Sequence, residues 1–235
     1  MYSRSLEKVF FRSAILILLL LPFFSGSPVF GESEGGSSGW QKISDLDDIQ
    51  VYKKEITDRP LIALKGETVL NFPIEKVATV MDQIEKQPQW VPYLLEARQL
   101  RQISFYERLI YTCSRSPWPV KDRDFLAHSS VEVDQKREKI TVRMRSVEGH
   151  EVAVRTDRVR GDLSSCIIVV QSLEGGQKTY FSIEILVDPK GWIPKWVVNL
   201  VQRKLTRKYI EGLRVQVARP EIKDHPLILE LFHRR

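Results

Sequence analysis

Residues 188–217 read DPKGWIPKWVVNLVQRKLTRKYIEGLRVQV, and the arrangement of the whole chain turns on them. Asp188, Pro189, Lys190 and Gly191 spell a turn, Trp192 and Pro194 follow, and from Ile193 onward apolar residues recur at helical spacing. On a wheel advancing about 100° per residue, Val197, Val198, Val201, Leu205, Tyr209 and Leu213 share one broad face with Gly212. Arg203, Arg207 and Arg214 fall opposite. Pro194 suits a first helical turn, where its missing N–H is not needed, and Pro220 stops the pattern. So long an apolar face needs a partner, and periodicity alone leaves open whether that partner is solid core or the space of a cavity.

Upstream of this helix the pattern is that of strands. CIIVVQS (166–172) and TYFSIEILV (179–187) lead directly into the turn. In residues 139–147, Ile140, Val142 and Met144 alternate with Thr141, Arg143 and Arg145, as an antiparallel sheet with one covered face requires. Arg143 and Arg145 then belong to a solvated face. Residues 107–114, 124–133 and 152–160 are rich in branched and aromatic residues and also read as strands. Nearer the N-terminus, IQVYKKE (49–55) and LIALKGETVLN (61–71) are strands, with Gly66 in the position of a bulge. Residues 73–85 change period, since Val77, Val80, Met81 and Ile84 recur three and four apart behind Pro73. QWVPYLLEA (89–97) is turn-rich or a brief second helix. Two strands, one or two helices, about six strands and one long helix make an α+β chain.

The ends read differently. Arg4, Lys8 and Arg12 precede an apolar run over residues 14–24, then Ser25, Gly26 and Ser27, with Val29 and Gly31 at small-residue positions. This is the pattern of a signal peptide over 1–31, cut near Gly31. The alternative, an uncleaved anchor, needs about 20 apolar residues, more than the run supplies. ESEGGSSG (32–39) is a flexible linker by composition, residues 40–219 are one folded domain, and 220–235 are a C-terminal tail. Loss of Arg4, Lys8, Arg12 and Glu7 with the leader lowers the formal charge from +6 to about +4. That permits attraction to an anionic membrane surface, and the dispersed basic residues argue against a nucleic-acid partner. Cys113 and Cys166 form either a disulfide, which export allows, or two free thiols in neighbouring strands. No metal-ligand spacing occurs, and no cofactor is implied.

SPWPVKDRDF (116–125), following ERLIYTCSR, joins a proline-aromatic-proline corner to an Arg-Asp-aromatic step. Together with WQKI and DIQVYKKE at the start, PIEKVATVMDQIEKQPQWVPYL, VRGDLSSCIIVV and the GWIP hinge, it resembles the START family of lipid-transfer domains across residues 40–218. The resemblance implies a helix-grip fold, a curved antiparallel sheet wrapped around the C-terminal helix and enclosing an apolar cavity. It implies a monomeric carrier that holds one hydrophobic molecule, a phospholipid, sterol or similar, gated by the C-terminal helix and meeting a membrane surface transiently. Export would make this a secreted or periplasmic, bacterial-type member. Arg123 and Asp124 match the family's Arg-Asp pair. Arg123 is then either a contact for an anionic head group or a structural ion pair. Tyr111 on the preceding strand is expected to line the same wall, with Val197, Val201, Leu205 and Tyr209 as the cavity floor. The lid is placed at residues 146–151, with Gly149 and Gly191 as flexible points and Trp192 and Trp196 at the membrane, unless those tryptophans pack in the core.

An enzyme is the rival class, because cyclases and aromatases share related cavity folds. Catalysis needs a tuned acid or base in the pocket, yet His128, His150, His225 and His233 are isolated in sequence. No nucleophile elbow, zinc-binding helix or phosphate-cradling loop appears. No catalytic residue is assigned. Arg160, Gly161 and Asp162 spell a receptor-binding tripeptide, but three residues recur by chance and here fall at a strand turn.

Overall fold

The computed structural model describes residues 39–57, 61–149 and 151–233, with the backbone alone at 195–203 and 233. β1 (Gln41–Leu46) and β2 (Ile49–Glu55) form a hairpin whose turn residues, Asp47 and Asp48, take φ of 55° and 60°. That handedness matches the strand twist in a two-residue turn. β3 (Ile62–Leu70) pairs with β2, and the chain then leaves the sheet as α1 (Ile74–Asp82) and a 3-10 turn (Ile84–Gln89). It returns as an antiparallel meander of β4 (Leu94–Ser104), β5 (Glu107–Ser114), β6 (Asp122–Asp134) and β7 (Lys139–Ser146). β8 (Arg158–Arg160), β9 (Asp162–Leu173) and β10 (Lys178–Asp188) follow. The sheet runs β1-β2-β3-β10-β9-β7-β6-β5-β4, and β8 joins the start of β6 in parallel.

α2 (Lys195–Val217) begins after Pro194, which is the N-cap and not the first turn. Thr206, Ile210, Leu213 and Val217 are buried, a stripe at helical spacing. Gly66 is where this stripe meets the sheet. It is no bulge, since β3 keeps its register with Val51 on one side and Ile183 on the other. A Cβ there would stand 2.4 Å from Thr206 Cγ2 and 2.9 Å from Ile210 Cδ1, so the close approach of the helix requires glycine. Gly212 serves the same end, because a Cβ would lie 2.3 Å from the Trp90 carbonyl oxygen. Arg207 pairs with Asp47 and with Glu211, and Arg214 donates to the Asp47 carbonyl at 3.2 Å and to Thr68 Oγ1 at 3.1 Å. The β1–β2 turn therefore holds the polar side of the helix. A curved sheet gripping its C-terminal helix is the helix-grip α+β architecture.

Three further expectations are corrected. Residues 220–235 are not simply a tail, because α3 (Pro226–His233) forms there and Ile222, Ile228 and Phe232 are buried. The apolar residues of PLILELF sit at helical spacing behind a proline, and Thr79 Oγ1 donates to the Lys223 carbonyl at 2.8 Å to dock the segment on α1. Residues 152–157 form no strand, running irregularly to a turn at Thr156 and Asp157, with strand only at Arg158–Arg160. Cys113 and Cys166 are both free and buried, and they do not lie on neighbouring strands. β6 and β7 separate their strands, which at roughly 4.8 Å per strand puts them beyond disulfide reach.

Candidate functional site

Between the sheet and the helices lies a cavity of about 690 Å³. Its walls follow the period-two rule of strands. Ile140, Val142 and Met144 line it from β7, Cys166, Ile168 and Val170 from β9, and Ile183, Ile185 and Val187 from β10. Arg143 and Arg145 point to solvent as the alternation requires. α2 contributes Leu205, Thr206 and Tyr209, and α3 adds Leu227 and Ile228. The Tyr209 ring is held edge-on by Trp90, centroids 5.2 Å apart, and stacks on Phe181 at 6.2 Å. Burial lifts its hydroxyl well above the usual tyrosine range and pushes the Cys166 thiol up to about 12. Both groups are neutral at ordinary pH, and an apolar guest meets no charge along these walls.

One end of the cavity is polar. Arg108 donates from Nη1 to Asp82 Oδ1 at 2.9 Å, and His225 Nε2 stands 3.6 Å from Asp82 Oδ2. The His225 ring, and then the Arg108 charge, hold the Asp82 carboxyl below its ordinary value. Gln87, Gln99 and Gln102 line the same region, and Phe105 and Tyr106 form its rim from the β4–β5 turn.

The opposite face of β5 carries a different constellation. Tyr111 donates to Asp124 Oδ2 at 3.2 Å, and Arg160 grips both Asp124 oxygens at 3.0 Å. Arg158 donates to the Tyr111 hydroxyl at 3.0 Å and to Cys113 Sγ at 3.2 Å. The tripeptide at residues 160–162 is thus committed to the fold, with Gly161 pressed against the Phe125 ring. Arg123 is buried and donates to four backbone carbonyls, those of Lys121, Pro189, Lys190 and Trp192. Among the described residues no cluster of His, Cys, Asp and Glu is placed to hold a metal ion, and no helix is long and apolar enough to cross a membrane.

Residues 30–220 match the START domain. The chain belongs to the START domain family. It is 24% identical over 183 residues to the mitochondrial steroidogenic acute regulatory protein of Mesocricetus auratus, covering 75% of this chain and 63% of that one. It is 26% identical over 189 residues to START domain-containing protein 10 of Mus musculus, covering 79% and 64%. The match thus spans somewhat less than two thirds of either relative. Human StAR-related lipid transfer protein 5 has the same fold, with a TM-score of 0.69 at 18% identity over 77% of this chain and 88% of that one.

Within this START domain the expected site residues separate into groups. Leu205 and Tyr209 line the cavity. Val197, Val201 and Trp196 lie outside the residues whose side chains are described. Tyr111, Arg123 and Asp124 do not line the cavity, which corrects their placement. Tyr111 has the wrong parity on β5, where Arg108, Ile110, Thr112 and Ser114 face inward. Arg123 is structural, but as a clamp on carbonyls and not as an ion pair. Gly149 adjoins residue 150, which is outside the described residues. Gly191 takes φ of 65°, a fixed left-handed bend beside Arg123, and Trp192 is 69% exposed, so core packing does not account for it. Sequence reasoning missed Asp82, Arg108 and His225. The signal for Arg108 was present, since it shares parity with Ile110 and Thr112.

Proposed function

We propose that this START domain is a non-catalytic carrier that holds one hydrophobic molecule in the cavity between its sheet and α2. The single observation that carries the reading is the predominantly apolar lining of the 690 Å³ space. Pockets of this size bury most of a ligand's surface, and roughly 25 cal/mol per Å² of apolar area holds an acyl or sterol body without covalent chemistry. The neutral state of Cys166 and Tyr209 supports carriage over nucleophilic or acid-base catalysis at the cavity wall. The test is native mass spectrometry of the protein as purified, followed by organic extraction. One lipid at one copy per chain is expected; a protein that is empty and takes up no lipid from vesicles overturns the reading.

Delivery requires a membrane. Trp118 is 89% exposed and Val154 is 73% exposed. Their loops meet the Trp192 loop through Arg123, which binds the carbonyls of Lys121 and Trp192, and through Lys121 Nζ, which donates to the Thr156 carbonyl. Exposed Lys121 and Lys190 lie on these loops, and Arg155 is paired with Asp157. Tryptophan favours the membrane interface and basic residues favour anionic lipid, so this end is read as the docking tip. The gate is assigned to α2, which contributes Leu205, Thr206 and Tyr209 to the cavity wall. The protein is further read as exported and monomeric, with residues 1–31 removed. Intact mass of the mature chain tests this, with an N-terminus near Glu32 expected.

A further inference from the structure

We propose that Arg108, set between Asp82 and His225 at the polar end of the cavity, receives the anionic head, a carboxylate or a phosphate, of a single-chain lipid. This rests on the carrier reading and narrows it. Among the described residues that line the cavity, Arg108 is the only Lys or Arg. A cation in an apolar enclosure is unfavourable unless it is paired, and an aliphatic side chain would complete the wall equally well. Its guanidinium has five N–H donors in a planar fork, and one of them goes to Asp82. No further acceptor engages it among the described residues. The fork matches the two oxygens of a carboxylate or phosphate.

The neighbours suit an exchange of partners. Asp82 is 55% exposed on its side chain, against 15% for Arg108, so the carboxylate is the member of the pair that water can receive. His225 Nδ1 is buried without a hydrogen-bond partner, a second polar atom at the same end with unused capacity. His225 comes from the segment beyond residue 220, where the family match ends, so this polar end is completed by residues outside the matched region. Size limits the guest. A cavity of about 690 Å³ lies within the range of about 300–1,000 Å³ that encloses a drug-sized ligand, which is the scale of one acyl chain with its head.

The test compares guests that share one oleoyl chain. Dissociation constants are measured at pH 8 for oleic acid, oleyl alcohol, oleoyl lysophosphatidate and two-chain dioleoyl phosphatidate, using the whole protein, Arg108→Gln and Asp82→Asn. Melting curves confirm that each variant is folded. A charge-assisted pair predicts that at least one of the single-chain anions binds about 10- to 100-fold more tightly than the alcohol, and which anion leads distinguishes carboxylate from phosphate. In Arg108→Gln the anion-to-alcohol ratio falls to near one. In Asp82→Asn, which releases the fork, the ratio rises. A merely structural ion pair gives no such opposite movement. The proposal is overturned if Arg108→Gln keeps the ratio, if Asp82→Asn lowers it, or if dioleoyl phosphatidate binds as tightly as the single-chain anions. If neither single-chain anion nor the alcohol binds, the carrier reading falls with it.

Discussion

Arg123 Nη2 reaches the carbonyl oxygen of Lys190 across 3.0 Å, and the same guanidinium bonds the carbonyls of Pro189 and Trp192, which flank Lys190 and Gly191. One buried side chain from the start of β6 therefore sets the bend through which β10 hands the chain to α2.

Arg123→Ala removes four charge-assisted hydrogen bonds and leaves the carbonyls of Lys121, Pro189, Lys190 and Trp192 without this donor. A loss of about 2–4 kcal/mol in unfolding free energy is expected, read by urea denaturation. Relative affinities for charged and neutral lipids are expected to stay as they are. A variant of native stability with altered ligand preference would return Arg123 to the binding site.

The approach of α2 to β3 gives a second prediction. Gly66→Ala places a methyl 2.4 Å from Thr206 Cγ2, and overpacking of this kind costs about 1–3 kcal/mol. Thr206→Ser removes that methyl, so the double variant is expected to recover about 1 kcal/mol relative to the sum of the two single changes. Additive effects in a double-mutant cycle would show that the helix shifts away instead.

Much of this was legible in the sequence because each element has one wet and one dry face. Ile140, Val142 and Met144 declared their side of β7 through their alternation with Thr141, Arg143 and Arg145, and Leu205 and Tyr209 declared theirs on the helix. β5 was opaque for a physical reason. Tyr111 and Cys113 are buried on one face beside Arg158, while Ile110 and Thr112 face the cavity on the other, so both parities look apolar. Gly66 shows the same limit, since a bulge and a helix contact both select glycine. α3 was hidden by its position after Pro220, although its apolar spacing was plain.

The docking tip is tested with vesicles. Trp118→Ala and Trp192→Ala together remove two exposed indoles, and partition into anionic vesicles is expected to fall about 10-fold or more. Added salt should weaken the remainder, because the surrounding lysines act through a screened field. The thermal midpoint is expected to move little, as both side chains lie in water in the free protein. Vesicle sedimentation that is unaltered in the double variant would place the contact elsewhere.

Alkaline pH gives the last prediction. Burial pushes the Cys166 thiol up to about 12 in the folded chain, whereas an unfolded cysteine titrates near 8.5. Below about 8.5 the thiol is protonated in both states, and its full contribution is present. As pH rises further, the unfolded chain releases a proton that the folded chain retains, so stability falls by up to about 1.4 kcal/mol per pH unit until the folded value is reached. Between pH 7 and pH 10 the protein is expected to lose about 2 kcal/mol more than Cys166→Ala does, measured by denaturant midpoints at each pH. Parallel slopes in the two proteins would mean that the thiol is reached by solvent, and the cavity would then be open along β9 even without a guest.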